Sequence, residues 1–200
     1  MATISLAMIV RDEERVISRC LESVIGIVDE VVIVDTGSID GTVSEVKRVA
    51  GDKLKLFTYE WNDDFSSPRN LSFEKASCDF IFWLDADDVV INPEALKLMI
   101  DRASDSFDIL NLKYNYAYDE YKNPVMVHWR ERVIRNTPNA CRWVDRVHEH
   151  LLYDPQTVRC AHFEDTVIGH LRDSGAGNRA SSRNLHILEN WIKESGGYES

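Results

Sequence analysis

Asp79-Phe-Ile-Phe-Trp-Leu-Asp-Ala-Asp-Asp88 runs five apolar residues, Phe80 to Leu84, straight into the carboxylates of Asp85, Asp87 and Asp88, with no turn former between the two parts. An apolar run this short, built from aromatic and β-branched types, predicts a strand buried on both faces, which requires a sheet covered on both sides. Its end lifts carboxylates out of a dry core. There like charges repel, and ionised groups are costly to hold unless a cation neutralises them. The pattern points to a divalent metal and a ligand with phosphates.

The flanking sequence supplies the rest of such a sheet. Ile4 to Val10 reads as a strand, and Asp12 as the cap of a helix in which Val16, Ile17, Cys20, Leu21 and Val24 recur at helical spacing. Val31 to Val34 is a second strand ending at Asp35-Thr-Gly-Ser-Ile-Asp-Gly-Thr42, a loop dense in turn formers, after which Val43, Val46 and Val49 mark a helix. Leu54 to Tyr59 is a third strand, and Pro68 suits the first turn of a helix running to Ala76. Repeated strand-helix-strand units predict an α/β fold, Rossmann-like, with a mostly parallel central sheet and helices on both faces. Ligands of such sheets sit at the carboxyl ends of the strands, so the loops after Val10, Val34 and Leu84 fall at one site.

The second half reads differently. Asn92 and Pro93 start a helix to about Arg102; Asp108 to Tyr118 and Val125 to Arg135 then read as strands flanking a turn at Lys122-Asn-Pro124, an antiparallel element joining the sheet. A strand around Thr166 to His170, a loop with Gly175 and Gly177, and a final helix with Leu185, Leu188, Trp191 and Ile192 on one side follow. That side is expected to pack on the domain.

Net charge of −11 over 200 residues argues against a broad nucleic-acid or anionic-membrane footprint. Cys20, Cys78, Cys141 and Cys160 are widely spaced, with no Cys-x-x-Cys pair, and read as buried free thiols of a reducing compartment. No window approaches about eighteen uninterrupted apolar residues, and Met1-Ala-Thr-Ile lacks a basic start and cleavage site, so a cytoplasmic protein without a transmembrane segment is expected.

Five strand-end motifs stand in order: Met8-Ile-Val-Arg-Asp-Glu-Glu14, Val34-Asp-Thr-Gly-Ser-Ile-Asp-Gly-Thr42, Trp61-Asn-Asp-Asp-Phe65 with Arg69-Asn70, Leu84-Asp-Ala-Asp-Asp88, and Val147-His-Glu-His150. Together, from about residue 4 to 170, they resemble family 2 glycosyltransferases of GT-A fold, and within them the small bacterial lipopolysaccharide-core and peptide glucosyltransferases. The resemblance implies an inverting, metal-dependent transfer of a hexose, glucose by family, from a UDP-sugar to an acceptor hydroxyl or similar nucleophile. It implies one GT-A domain over 1–200, with a nucleotide-sugar-binding half at 1–107, an acceptor and metal half at 108–180, and a C-terminal helix at 181–195.

By resemblance, Val10, Asp12, Glu13 and Asp35 serve the base and ribose, where carboxylates accept from N–H and hydroxyl groups. Arg69 and Asn70, at a helix start, face the phosphates. Asp85 approaches the ribose beside Ala86, while Asp87 binds Mn²⁺ or Mg²⁺ with His170 as a further ligand. Period-two alternation is expected to put Asp85 and Asp87 on one face, with Asp88 pointing elsewhere and serving local structure. The family's Glu-Asp-like base segment is matched imperfectly by Val147-His-Glu-His150, so Glu149 inherits the base role, and His148 is a second metal candidate. Trp143, Tyr114 and Tyr116 divide between sugar stacking and core packing.

Rival readings attach to the same residues. Asp85-x-Asp87-x-Val89 loosely fits the nucleophile motif of haloacid-dehalogenase phosphotransferases, but two strand-helix units precede it here. A nucleotidyltransferase would need a glycine-rich basic first loop, whereas Arg11-Asp-Glu-Glu14 repels a triphosphate. A non-catalytic sugar-nucleotide-binding module is the third. The acceptor (glycan, lipid-linked sugar, peptide or modified base) has no legible motif, because its loops carry no fixed chemistry.

Overall fold

Continuous apolar runs, buried on both faces, build the first half of the sheet. The computed structural model describes residues 1–171 and 177–195. In it β1 (Ile4–Val10), β2 (Glu30–Asp35), β3 (Leu54–Thr58) and β4 (Phe80–Trp83) run parallel in the order β3-β2-β1-β4. Ile4, Leu6, Met8, Val31, Ile33, Phe80 and Phe82 alternate onto one face, sharing a core with Ile17, Cys20 and Leu21 of α1 (Ile17–Glu22) and Val46 of α2 (Thr42–Ala50). Trp83 points to the other face, where Phe73 of α3 (Ser66–Lys75) and Trp143 enclose it. β4 is buried at every position, as its apolar run requires.

Beyond β4 the sheet continues as β7-β6-β10-β5. These are β5 (Asp88–Ile91), β6 (Ile109–Tyr118), β7 (Pro124–Arg135) and β10 (Cys160–His170), with α4 (Pro93–Ala103) between β5 and β6. β7 is antiparallel to both β4 and β6, β10 is parallel to β6, and β5 returns antiparallel to β10. Only residues 84–87 connect β4 to β5, yet β7, β6 and β10 lie between them in the sheet. The sheet therefore curls until its β5 edge comes back to the end of β4. A separate hairpin of β8 (Cys141–Val144) and β9 (His150–Tyr153) packs against α3, and α5 spans Gly177–Glu194.

Several expectations are corrected. Asp12 does not cap α1: it adopts a left-handed backbone (φ 55°), and its Oδ1 accepts from Ile39 N–H at 2.8 Å, which ties the first loop to the second. Asp85 and Asp87 do not alternate along an extended strand, because Asp88 N–H bonds Asp85 C=O at 3.1 Å and closes a turn. On α5 the side chosen from the sequence is split: Leu185 and Ile192 are exposed, Leu188 is half-buried and Trp191 lies under Arg146, while the fully buried residue is Ile187, which the spacing did not single out. Gly177 begins α5, and the loop expected at Gly175 lies outside the described residues. All four thiols are free, but only Cys20 is buried and Cys160 is exposed. β5 and the β8-β9 hairpin have no counterpart in the sequence expectation, being short strands whose partners are remote.

Candidate active site

A cleft of about 1040 Å³ opens over the carboxyl ends of the parallel strands. Its first wall is made by the loop after β1, with Val10, Asp12 and Glu13. That loop is stitched to the loop after β2 by short-range bonds: Asp12 N–H donates to Ser38 Oγ at 3.0 Å, Glu13 N–H to Thr42 Oγ1 at 2.6 Å, and Gly41 N–H to Glu14 Oε2 at 2.7 Å. Asp35 lies behind this wall, with Oδ1 accepting from Ser38 N–H and hydroxyl at 3.1 and 2.5 Å. It does not line the cleft.

The floor is the 85–88 turn, where Asp85, Ala86 and Asp87 line the cleft and Asp88 is wholly buried beneath it. Arg69 reaches this floor from α3 and is buried. Its NH2 donates to Asp85 Oδ1 at 2.8 Å and its Nε to Glu149 Oε1 at 2.6 Å. The same guanidinium lies near the rings of Trp83 (4.9 Å) and Trp143 (5.1 Å). Burial pushes the Asp85 carboxyl up, but Arg69, with Arg132 behind it, prevails and holds it at about 2. Asn70, next on α3, takes no place in the cleft wall. Its amide accepts from Trp143 N–H at 2.8 Å and donates to Trp143 C=O at 2.9 Å, which docks the β8-β9 hairpin on α3. The hairpin's loop then presents His148, in a left-handed backbone, and Glu149 to the cleft.

The far wall comes from the curled half. Tyr116 of β6 stacks on His170 of β10, ring centroids 5.3 Å apart and 8° from parallel, while Tyr114 and Trp143 are buried in the core. His170 Nδ1 lies 3.3 Å from Asp87 Oδ1 and 3.4 Å from Asp88 Oδ1. Burial draws the imidazole pKa down, but the two carboxylates outweigh it and raise it to about 9. Glu13 moves the other way for a carboxyl: burial, reinforced by Asp87 and Asp85, lifts it to about 7. The corner holds too many acidic groups for its cations.

Asp87, Asp88 and His170 offer ligand atoms within 4.8 Å of one another, and Asp88 Oδ1 is buried without a hydrogen bond. Two carboxylate oxygens with one imidazole suit Mn²⁺, and the oxygens alone suit Mg²⁺. The donor set fits a divalent cation. Among the residues expected from sequence, Val10, Asp12, Glu13, Arg69, Asp85, Ala86, Asp87, Glu149 and His170 meet in one cleft, whereas Asp35 and Asn70 do not reach it. Sequence reasoning missed the buried Arg132 of β7, Arg183 of α5, which lines the cleft, and the membership of Asp88 in the acidic corner. A charge at alternate positions, Arg130 and Arg132, in a strand otherwise turning apolar at Val133 was the one available signal.

Residues 5–182 match the profile of the family described as Glycosyl transferase family 2. The chain belongs to that family. The match sets aside the phosphotransferase and nucleotidyltransferase alternatives. Among curated relatives, a TPR repeat-containing protein of Synechococcus elongatus is 50% identical over 91 residues, 46% of this chain and 22% of that protein. The SPbeta prophage-derived glycosyltransferase SunS of Bacillus subtilis is 34% identical over 87 residues, 44% of this chain and 20% of SunS. The match thus spans only about a fifth of either relative. Among solved structures, TarS 1-349 of S. aureus in complex with UDP superposes with TM-score 0.64 at 17% identity, covering 94% of this chain and 66% of that one. Glucosyl-3-phosphoglycerate synthase of Mycobacterium tuberculosis, with Mn²⁺, UDP-glucose and phosphoglyceric acid, gives 0.63 at 13% identity, covering 100% and 82%. This family 2 chain shares their GT-A fold, and no helix among its described residues is long and apolar enough to cross a membrane.

Proposed function

We propose that the chain is a metal-dependent, inverting glycosyltransferase that moves a hexose, glucose by its family resemblance, from a UDP-sugar to an acceptor nucleophile. The observation carrying this reading is the convergence of Asp87 and His170 with Glu149 in one cleft at the strand ends, with Asp88 buried directly beneath them. Residues 1–107 bind the donor, with Asp12 and Glu13 facing the nucleoside and Asp85 the ribose. Asp87 and His170 hold Mn²⁺ or Mg²⁺, with Asp88 beside them. A cation there supplies Lewis-acid stabilisation of the negative charge on the departing nucleoside diphosphate.

Glu149 is the base that takes the proton from the acceptor as the sugar carbon is attacked. Arg69 fixes Glu149 Oε1, and among the described residues Oε2 takes no hydrogen bond. A fixed carboxylate with one open oxygen is the arrangement a general base needs. Arg69 is thereby committed to two carboxylates, so phosphate charge falls to the other arginines of the cleft, Arg183 among them. The bound UDP of TarS and the bound Mn²⁺ and UDP-glucose of glucosyl-3-phosphoglycerate synthase, neighbours in fold, support the donor class.

UDP with Mn²⁺ should raise the melting temperature, and Asp87→Ala should remove the metal-dependent part of that rise. Glu149→Gln should keep UDP binding while abolishing transfer. The donor is read by incubating the protein with a panel of nucleotide sugars and following slow hydrolysis. No thermal shift at millimolar UDP and Mn²⁺ would sink the donor assignment.

A further inference from the structure

Arg132 has no part in the mechanism above, yet it is the largest of the fully buried side chains, 1% exposed. It points from β7 into the inside of the curl. A β-bulge, where the β6 register slips between Leu110 and Asn111, lies beside it. There its guanidinium lies over the ring of Trp83 at 4.0 Å and of Tyr114 at 4.5 Å. NH1 pairs with Asp88 Oδ2 at 3.0 Å and donates to Trp83 C=O at 3.3 Å. Four strands thus meet on one cation: Trp83 from β4, Asp88 from β5, Tyr114 from β6 and Arg132 itself from β7. Burying an ion pair so completely is poor value for stability alone, since apolar residues of similar volume usually do as well or better.

The two oxygens of Asp88 are used unequally. Oδ2 takes both Arg132 and the Asp85 N–H, the latter at 3.1 Å. Oδ1 takes no hydrogen bond and faces His170 Nδ1 at 3.4 Å. Resting on the metal-dependent reading, we infer that Arg132 is a positioning residue for the divalent-cation corner: it locks Asp88 Oδ2 and so turns Oδ1 toward Asp87 and His170. Two effects oppose each other when Arg132 is lost. A cation near the corner disappears, which by itself would strengthen metal binding. But Asp88 Oδ2 keeps only the Asp85 N–H as a partner, so the carboxylate can turn and carry Oδ1 out of the corner. The second effect wins, because a ligand oxygen turned away makes no bond to the cation, whereas Arg132 sits on the far oxygen of Asp88 and repels the cation only from a distance.

The test measures Mn²⁺ affinity directly, by electron paramagnetic resonance of free Mn²⁺, in wild type, Arg132→Met, Arg132→Lys, Asp88→Asn and the double variant Arg132→Met/Asp88→Asn. Arg132→Met should bind Mn²⁺ at least tenfold more weakly. Lysine should restore part of the loss, since it keeps the charge but not the planar fork. Arg132→Met and Asp88→Asn each leave a buried charge unpaired and should unfold at lower urea. The double variant removes both charges and should recover stability while its Mn²⁺ affinity stays as weak as that of either single change. Should Arg132→Met fail to fold, Arg132→Lys carries the test, with Mn²⁺ binding still more than twofold weaker than wild type. Mn²⁺ binding within twofold of wild type in either would overturn the positioning role while leaving the metal itself in place. No Mn²⁺ binding by wild type at millimolar concentration overturns the metal-dependent reading and this inference with it.

Discussion

Carboxylates crowd both halves of this chain, but the halves neutralise them by different means. Around β1 and β2 several loop carboxylates accept from neighbouring N–H and hydroxyl groups: Asp40 Oδ1 accepts from Thr42 N–H and hydroxyl at 2.9 and 2.5 Å, Asp35 from Ser38, Asp12 from Ile39. In the curled half they are held by buried guanidiniums brought from elsewhere in the chain. Arg69 joins Asp85 and Glu149, Arg132 meets Asp88, and Trp83 lies against both arginines. Neutral N–H donors fix a loop's shape while leaving its negative charge in the cleft. Guanidiniums cancel charge where the core excludes water. The first arrangement suits a surface that recognises hydrogen-bond donors on a ligand, and the second a rigid floor on which carboxylates must keep their positions.

The contrast breaks most directly at Arg69. Replacing it with methionine leaves two carboxylates near the core without a counter-charge, and should cost about 3–5 kcal/mol in urea unfolding. A loss below about 1 kcal/mol would mean that solvent already screens the pair.

Glu13, between the two halves, gives a pH signature. In the folded protein its pKa of about 7 lies well above the 4.5 of an ordinary glutamate. The native state then binds the proton more tightly, so wild type loses stability as pH rises from about 4.5 to 7. Glu13→Gln removes that loss, and should stabilise the protein above pH 7 relative to wild type, with the difference fading toward acid. Equal pH profiles for the two proteins would show that Glu13 does not feel the acidic corner.

In the first half effects should be smaller. Asp40→Ala removes a local turn partner and should cost about 1 kcal/mol, measured by thermal unfolding, with no change in Mn²⁺ affinity. Smallest of all is the outward side of α5. Leu185→Gln and Ile192→Gln should each change stability by less than about 0.5 kcal/mol, since both side chains are already exposed. A larger loss would show that this side is covered after all.

Legibility from sequence followed the same division. The strands β1, β2 and β4, the turn formers between Asp35 and Thr42, and the long hairpin of β6 and β7 were readable because continuous apolar runs and turn chemistry are local. Asp85, Asp87 and His170 were singled out from their place at strand ends, and the structure brings all three to one cleft. Asn70 was read as a ligand contact from its neighbour Arg69, yet its amide serves the backbone of Trp143. The stripe on α5 was read from helical spacing, which identifies an apolar side but not what lies against it.

By itself the sequence determined the parallel α/β half, the strand that delivers the acidic turn, and the membership in family 2 that its ordered motifs express. Only the tertiary structure decided which cation answers which carboxylate. The reason is distance along the chain: Arg69 and Glu149 are 80 residues apart, and nothing local distinguishes an arginine that will be buried from one that will face water. That choice belongs to the curl of the sheet, which carries β5 back to β4 and makes a turn of three carboxylates into a floor with two buried counter-charges.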